Sequence, residues 1–171
     1  MTETPSHPTP LRSTLVPCNP GNIANMKVLV NHCFPITYKD EFYERVARAY
    51  ADYTRFVAVN DVIVGGISAR MEEDEKTQET HLHVLILLVF HRYRRTGLAA
   101  KMLAWLVAEA RKNPSLAYLS LHVQKSNEAA VKFYLSQGFH VAEEVPGYYT
   151  DIESPDALFL KMLLTSNDKS K

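Results

Sequence analysis

Cysteine is scarce in this sequence. Cys18 and Cys33 are the only two among 171 residues, too few and too isolated to frame a disulfide-stapled domain or a cysteine zinc site. They read as two reduced thiols. An excess of one charge sign is missing too. With 19 basic and 19 acidic side chains the formal net charge is zero, so there is no general electrostatic footprint for nucleic acid, and none is expected as a direct partner. No apolar run approaches the roughly 20 residues that cross a bilayer. The longest, Val84 to Phe90, reads as a buried strand. The stretch from Met1 to Leu11 has three prolines, no basic cluster and no apolar core, and does not read as a signal peptide. These absences lead us to expect a cytoplasmic protein, with access to the nucleus left open, and no membrane partner.

The chain is 46% hydrophobic and 22% charged, ordinary for a globular protein, and its length suits one domain with a substantial core. We expect disordered tails at 1–12 and 165–171, where Thr, Pro, Ser and polar residues dominate, and one domain at 13–164. Leu15 and Val16 suggest a short first strand. Asn22 is placed to cap a helix with Ile23, Met26, Leu29, Val30 and Cys33 at helical spacing, and Pro35 ends it. A second helix runs from about Asp40 to Tyr50. Phe56 to Val59 and Val62 to Ile67 are β-branched runs joined by Asn60-Asp61, a tight hairpin signal. Glu72 to Glu75 reads as a solvated acidic loop. The remaining elements are a strand at His81 to Phe90, a helix at Gly97 to Lys112, a strand at Ala117 to Val123, a helix capped by Ser126 or Asn127 and stopped at Gly138, and strands at Phe139 to Val145 and Ala157 to Leu163. Seven strands and four helices in this order indicate a mixed α/β (α+β) sheet with helices on its faces.

The most informative stretch is Arg94-Arg95-Thr96-Gly97-Leu98-Ala99-Ala100. A long strand ends, a glycine turn comes next, and a helix begins. The first helical amides lack intrahelical partners and carry the positive end of the dipole, so they favour an anion such as a pyrophosphate. Gly97 lets the backbone approach it, Ala99 avoids crowding, and Arg94 and Arg95 add charge. On spacing alone, the same residues could be a plain cap on a solvated basic face. About thirty residues later comes Asn127-x-x-Ala130-x-x-Phe133-Tyr134-x-x-x-Gly138-Phe139. Together the two segments resemble the cofactor segments of the GCN5-related N-acetyltransferase (GNAT) superfamily.

Three further segments narrow the resemblance: Phe34-Pro35-Ile36-Thr37-Tyr38, Leu121-His122-Val123-Gln124 and Gly147-Tyr148-Tyr149-Thr150-Asp151-Ile152. With Tyr93-Arg94-Arg95 they are similar to N-terminal acetyltransferase subunits, most of all the NatE catalytic type. The resemblance spans Val16 to Leu163. It implies a single GNAT domain whose sheet splays between strands four and five. It implies acetyl-CoA as cofactor, released as CoA, and acetylation of protein or nascent-peptide N-termini that begin Met-hydrophobic, Met-Leu among them. Association with the NatA complex near the ribosome is implied as well. Carried over position by position, Phe34, Pro35, Ile36, Tyr38, Leu85, Tyr148, Tyr149 and Ile152 would bind substrate. His122 matches the catalytic histidine. Backbone groups of Leu87, Leu88 and Val89, together with Arg94 to Ala100, Asn127 and Tyr134, would hold the cofactor.

One position departs from that pattern. His83 stands where the NatE type has a tyrosine. Strict strand alternation would put His81, His83, Leu85, Leu87 and Val89 on the substrate face. We expect His122 to act as general base through one water that His83 positions, the Leu87 amide to stabilise the oxyanion, and Tyr134 to protonate the leaving thiolate. No metal is expected, since no convergent Cys/His/Asp cluster is visible in the sequence. Two alternatives stay open: a lysine Nε-acetyltransferase on the same fold, and a catalytically weak scaffold subunit of a NatA/NatE complex.

Overall fold

The computed structural model describes residues 11–165. The expected tails lie outside these residues except at Leu11, Arg12 and Thr165. The elements are β1 (Thr14–Pro17), α1 (Ala24–Cys33), α2 (Asp40–Ala47), β2 (Thr54–Val59), β3 (Val62–Glu73), β4 (Thr80–Val89), α3 (Leu98–Arg111), β5 (Leu116–Gln124), α4 (Glu128–Ser136), β6 (His140–Val145) and β7 (Ala157–Leu163). All seven strands join one sheet in the order β1-β2-β3-β4-β5-β7-β6. Every neighbouring pair is antiparallel except β4 and β5. The mixed α/β architecture expected from the sequence is the observed one.

Local chemistry sets the element ends. Asn60 and Asp61 take φ values of 49° and 63°, the double left-handed geometry of the tight turn that suits twisted strands. Phe34, held extended ahead of Pro35, closes α1. Asn22 does not cap that helix; Ile23 occupies the position with no side-chain bond. The Asn22 side chain turns back instead, accepting from the Asn19 amide at 2.9 Å and donating to the Pro17 carbonyl at 2.8 Å. α2 stops at Ala47, short of the expected Tyr50, because the backbone leaves helical geometry at Arg48.

The sheet carries a core on each face. On one, Leu98, Met102, Leu103, Leu106 and Ala110 of α3 pack over Val57, Ile67, Leu82, Val84 and Leu119, with α4 against the same cluster through Ala130, Val131, Phe133 and Tyr134. On the other, Met26, Leu29 and Val30 of α1 and Tyr43 and Val46 of α2 pack on Phe56, Ile86 and Leu88. Each fully buried α1 side chain contributes about 1.5–3 kcal/mol. Gly66 lets α1 lie close to β3, since a Cβ there would come within 3.0 Å of Met26 Cε.

Two irregularities in β4 open a cleft in the sheet. Ser68 pairs with Ile86 and Ala69 with Val84, so Leu85 is an extra residue without a partner on β3. Such a bulge resets the alternation of side chains. Leu82 and Val84 face α3, and beyond the bulge so do Leu87 and Val89, while Ile86 and Leu88 face α1. The expectation that Leu87 and Val89 share a face with His81 and His83 is therefore wrong; of the five residues, Leu85 alone stays on the histidine side beyond His83. In addition, β4 and β5 pair only from Thr80/Leu116 to His83/Ser120. Past that rung the strands part, and the backbone from Leu85 to Val89 has no β5 partner.

Candidate active site

The parting of β4 and β5 is bordered by aromatic and imidazole rings. Tyr118, Ser120 and His122 alternate along β5 on the face that also carries His81 and His83 of β4. The Nδ1 atom of His83 lies 2.8 Å from Ser120 Oγ. The His83 and His122 ring centroids are 5.2 Å apart. His122 stacks on Tyr148 at 4.1 Å, and Phe159 of β7 packs on it at 4.9 Å. His122 Nδ1 is buried and has no hydrogen-bond partner among the described residues. Burial drives the His83 pKa down from 6.5 to about 4, with the neighbouring His122 adding a smaller push the same way and Glu72 opposing it. His122 is lowered as well, again mainly by burial, with Glu72 and Glu143 opposing. Both rings are neutral near pH 7, the form that accepts a proton.

Glu72 belongs to this cluster, which corrects its reading as a solvated loop. β3 continues through Glu73, and the turn begins at Asp74, whose carboxylate accepts the amides of Lys76 and Thr77 at 2.8 and 2.9 Å. Glu72 sits directly across from His81, with 3.5 Å between Oε2 and His81 Nε2, and its Oε1 accepts from Arg70 Nε at 2.6 Å. The expected absence of a convergent cluster fails here as well, since Glu72, His81 and His83 bring ligand atoms within 4.8 Å of one another. Sequence reasoning missed both Glu72 and Ser120. Ser120 had a signal: it is a lone hydroxyl at period two between Tyr118 and His122.

The loop after α1 and the loop between β6 and β7 form the walls. Phe34, Tyr38 and Leu85 pack against one apolar cluster. Tyr38 stacks on Phe42 at 4.2 Å, and its pKa is raised first by burial and then by the nearby Tyr148 phenol. Tyr149 is pushed up to about 12 by burial, with Tyr148 and Tyr38 adding to it. Tyr134 is likewise pushed to about 12 by burial, then by Tyr149, so its hydroxyl keeps its proton. Ring contacts link Tyr148 and Tyr149 with the histidine pair. Pro35 and Ile36 are exposed on the first loop and Ile152 is half-buried on the second. The second loop is fastened by Asp156, which accepts the Gly147 amide at 2.9 Å, and by Tyr149, whose amide donates to the Pro155 carbonyl at 2.9 Å.

The start of α3 supplies an anion cradle. Gly97 holds the cap position at φ +82°, with no side-chain cap bond among the described residues. Among the described residues, a Cβ there would meet nothing within 4 Å. Arg95, also at positive φ, and Thr96 are exposed beside it, while Arg94 Nε donates to the Val89 carbonyl at 3.2 Å and ties the turn to the end of β4. Leu98 is buried and Ala99 and Ala100 are half-buried. Asn127 caps α4, its side chain accepting from the Ala130 amide at 3.2 Å. A helix N-terminus with open amides, a glycine in front of it and unpaired β4 backbone alongside fit an extended pyrophosphate-bearing thioester.

This fold and cradle define an acyltransferase, and comparison with known proteins gives the same class. The chain matches the Acetyltransferase (GNAT) family over residues 23–139, and it belongs to that family. Acetyl-CoA is accordingly its acyl donor. Within the family its similarity lies with N-alpha-acetyltransferases. It is 34% identical to N-alpha-acetyltransferase 50 of Danio rerio over 147 residues, 86% of each chain. It is 32% identical to the probable N-acetyltransferase san of Drosophila melanogaster, covering 85% of this chain and 77% of that one. Among solved structures, Arabidopsis thaliana Naa50 in complex with the bisubstrate analogue CoA-Ac-MVNAL superimposes with a TM-score of 0.78 at 29% identity, over 87% of this chain and 97% of that one.

Proposed function

We propose that this protein is an N-terminal acetyltransferase that prefers the α-amine of Met-hydrophobic N-termini, Met-Leu among them. The observation that carries this reading is the aromatic wall beside His122, where Tyr148 stacks on the imidazole at 4.1 Å and lies near Tyr38 of the loop after α1. Such a wall suits a chain end with an apolar second residue, whose burial contributes about 1.5–3 kcal/mol. The Arabidopsis relative bound to CoA-Ac-MVNAL, an analogue whose peptide begins Met-Val, supports it. With the reading go association with a NatA complex near the ribosome and a cytoplasmic location, with nuclear access.

The chemistry rests on charge and pKa. Acetyl-CoA supplies a thioester carbonyl and a thiolate leaving group. A protein α-amine has a pKa near 7.7–8.0, so roughly a fifth is neutral near pH 7.2. A weak base is then sufficient, and neutral His122 takes the proton through one water. His83, oriented by Ser120, positions the same water. Backbone amides of β4 past the parting, Leu87 among them, stabilise the oxyanion. Tyr134, which holds its proton, protonates the leaving thiolate. A lysine with a pKa near 10.4 is neutral to roughly one part in a thousand, so this site does far less for it.

The test is a panel of peptides differing only in their first two residues, together with an N-blocked peptide bearing a free lysine. Mass spectrometry locates the acetyl group. Met-Leu peptides are expected to be modified fastest and the blocked peptide barely. Faster acetylation of a Ser- or Ala-initiated peptide refutes the specificity.

A further inference from the structure

Glu72, His81 and His83 make more of the cleft floor than the acetyl transfer uses. We infer that these three residues form a binding site for a zinc-class dication, built on the β3–β4 hairpin beside the histidine pair. His81 and His83 are two apart on one face of β4, and Glu72 is directly opposite His81 on β3. One donor atom from each lies within 4.8 Å of the other two, and Glu72 Oε2 is already 3.5 Å from His81 Nε2. A tetrahedral zinc ion with N and O donors at about 2.0–2.1 Å places neighbouring donors about 3.4 Å apart, so the three donors draw inward to complete the set.

The surroundings are those of a prepared site. Ser120 Oγ holds His83 Nδ1 at 2.8 Å, which leaves Nε2 of that ring as its donor atom. A hydrogen bond from a ligating imidazole's other nitrogen is the usual orienting device at metal sites. Tyr118 fixes the plane of His81 by stacking at 4.6 Å. The His81 side chain is only 7% exposed, and the nitrogen it turns toward Glu72 is Nε2. Arg70 engages Oε1 of Glu72 and so orients Oε2 toward the histidines. Its positive charge also opposes the ion, so binding is weaker than at a closed structural site. Two imidazoles and a carboxylate suit zinc and its neighbours rather than calcium or magnesium, which take oxygen donors. The fourth position is left for water.

Occupancy would take the free nitrogen of His83, so zinc would inhibit acetyl transfer. That consequence, unlike the binding itself, rests on the N-terminal acetyltransferase reading. The experiment is competition of the full chain against a chromophoric zinc indicator, together with the visible absorption of the cobalt-substituted protein. His81→Phe keeps the stack on Tyr118 and removes a ligand; Glu72→Gln keeps the shape and removes the charge. We expect the parent to bind one zinc ion and to show the intense cobalt bands of a four-coordinate site. We expect either variant to weaken binding by more than the roughly 10–100-fold that loss of an outer-shell partner costs. We further expect His81→Phe to leave the basal transfer rate unchanged while abolishing zinc inhibition. Failure of the parent to bind at submillimolar free zinc overturns the site, as does parental affinity in both variants. Binding without inhibition overturns the inhibitory role. A chain that binds zinc but transfers no acetyl group to any peptide overturns the functional reading and leaves the metal site standing.

Discussion

Replacing His122 by phenylalanine isolates the base from the ring. An alanine there would also empty the space between Tyr148 at 4.1 Å and Phe159 at 4.9 Å, so a lost rate could be blamed on a loosened wall. Phenylalanine keeps both stacks and deletes the proton acceptor. The expected loss in kcat is about 10²–10⁴-fold, the usual contribution of a positioned general base, with little change in KM for acetyl-CoA. The pH profile adds a second, independent reading. Two imidazolium rings 5.2 Å apart would repel by about 3 kcal/mol at an effective dielectric constant near 20. That repulsion adds to the burial that already lowers both groups. The parent's acid limb in kcat should therefore lie below pH 6.5, the ordinary histidine value. In the variant the step due to His122 should vanish, leaving only the fall caused by protonation of the substrate α-amine. Rates are measured at saturating cofactor and peptide from pH 5 to 8. A variant that keeps the parental rate and the parental acid limb would show that the proton leaves by another route, and His122 would lose its role.

Gly97→Glu should abolish the rise in Tm that acetyl-CoA produces in the parent, because it places bulk and negative charge before the α3 amides; an unchanged ligand shift would move the cofactor elsewhere. The same variant should fold, since a Cβ at Gly97 meets no neighbour among the described residues, though the φ of +82° costs about 1–2 kcal/mol for a residue with a side chain. Acid stability offers a separate check. The folded-state pKa of His83 lies at about 4, below its unfolded value of 6.5, so the unfolded chain binds the extra proton between those values. Stability is full above pH 6.5 and falls as pH drops toward 4, by about 3 kcal/mol at most. His83→Tyr should flatten that part of the urea-midpoint curve, and an unchanged slope would mean that another group causes it.

Some of this site was legible because particular residues have few other uses. Gly97 announces a left-handed turn at a helix start, and Asn60-Asp61 announces its hairpin, since each tolerates a backbone that other residues avoid. The phase of β4 was not legible. Leu85 to Val89 are all apolar and both faces of the sheet are buried there, so a shift by one residue leaves no trace in the pattern. Only the pairing with β3 reveals the bulge at Leu85. Glu72 was misread for a related reason. A run of four acidic residues looks solvated, and what sets Glu72 apart is its register with His81, nine positions away across a turn. Asn22 has the right side chain for a cap, but the Asn19–Pro17 turn competes for its amide and wins.

The rung between His83 and Ser120, the last that β4 and β5 share, makes the sheet a fork. Above it two strand edges face each other without touching, each with peptide groups that an ordinary sheet would have committed to its neighbour. An open edge of this kind accepts an added chain, and here the gap is closed on both sides, so the newcomer must be slender and extended. An elongated ligand arm lying between the tines acts as a guest strand: it gives the two edges the partner they lack and props them at a fixed spacing. Pairing that advanced by even two rungs would zip the slot shut from its base. The molecule thus gives up continuity of its sheet for a vacancy shaped like a strand, and the histidines stand at the crotch of the fork.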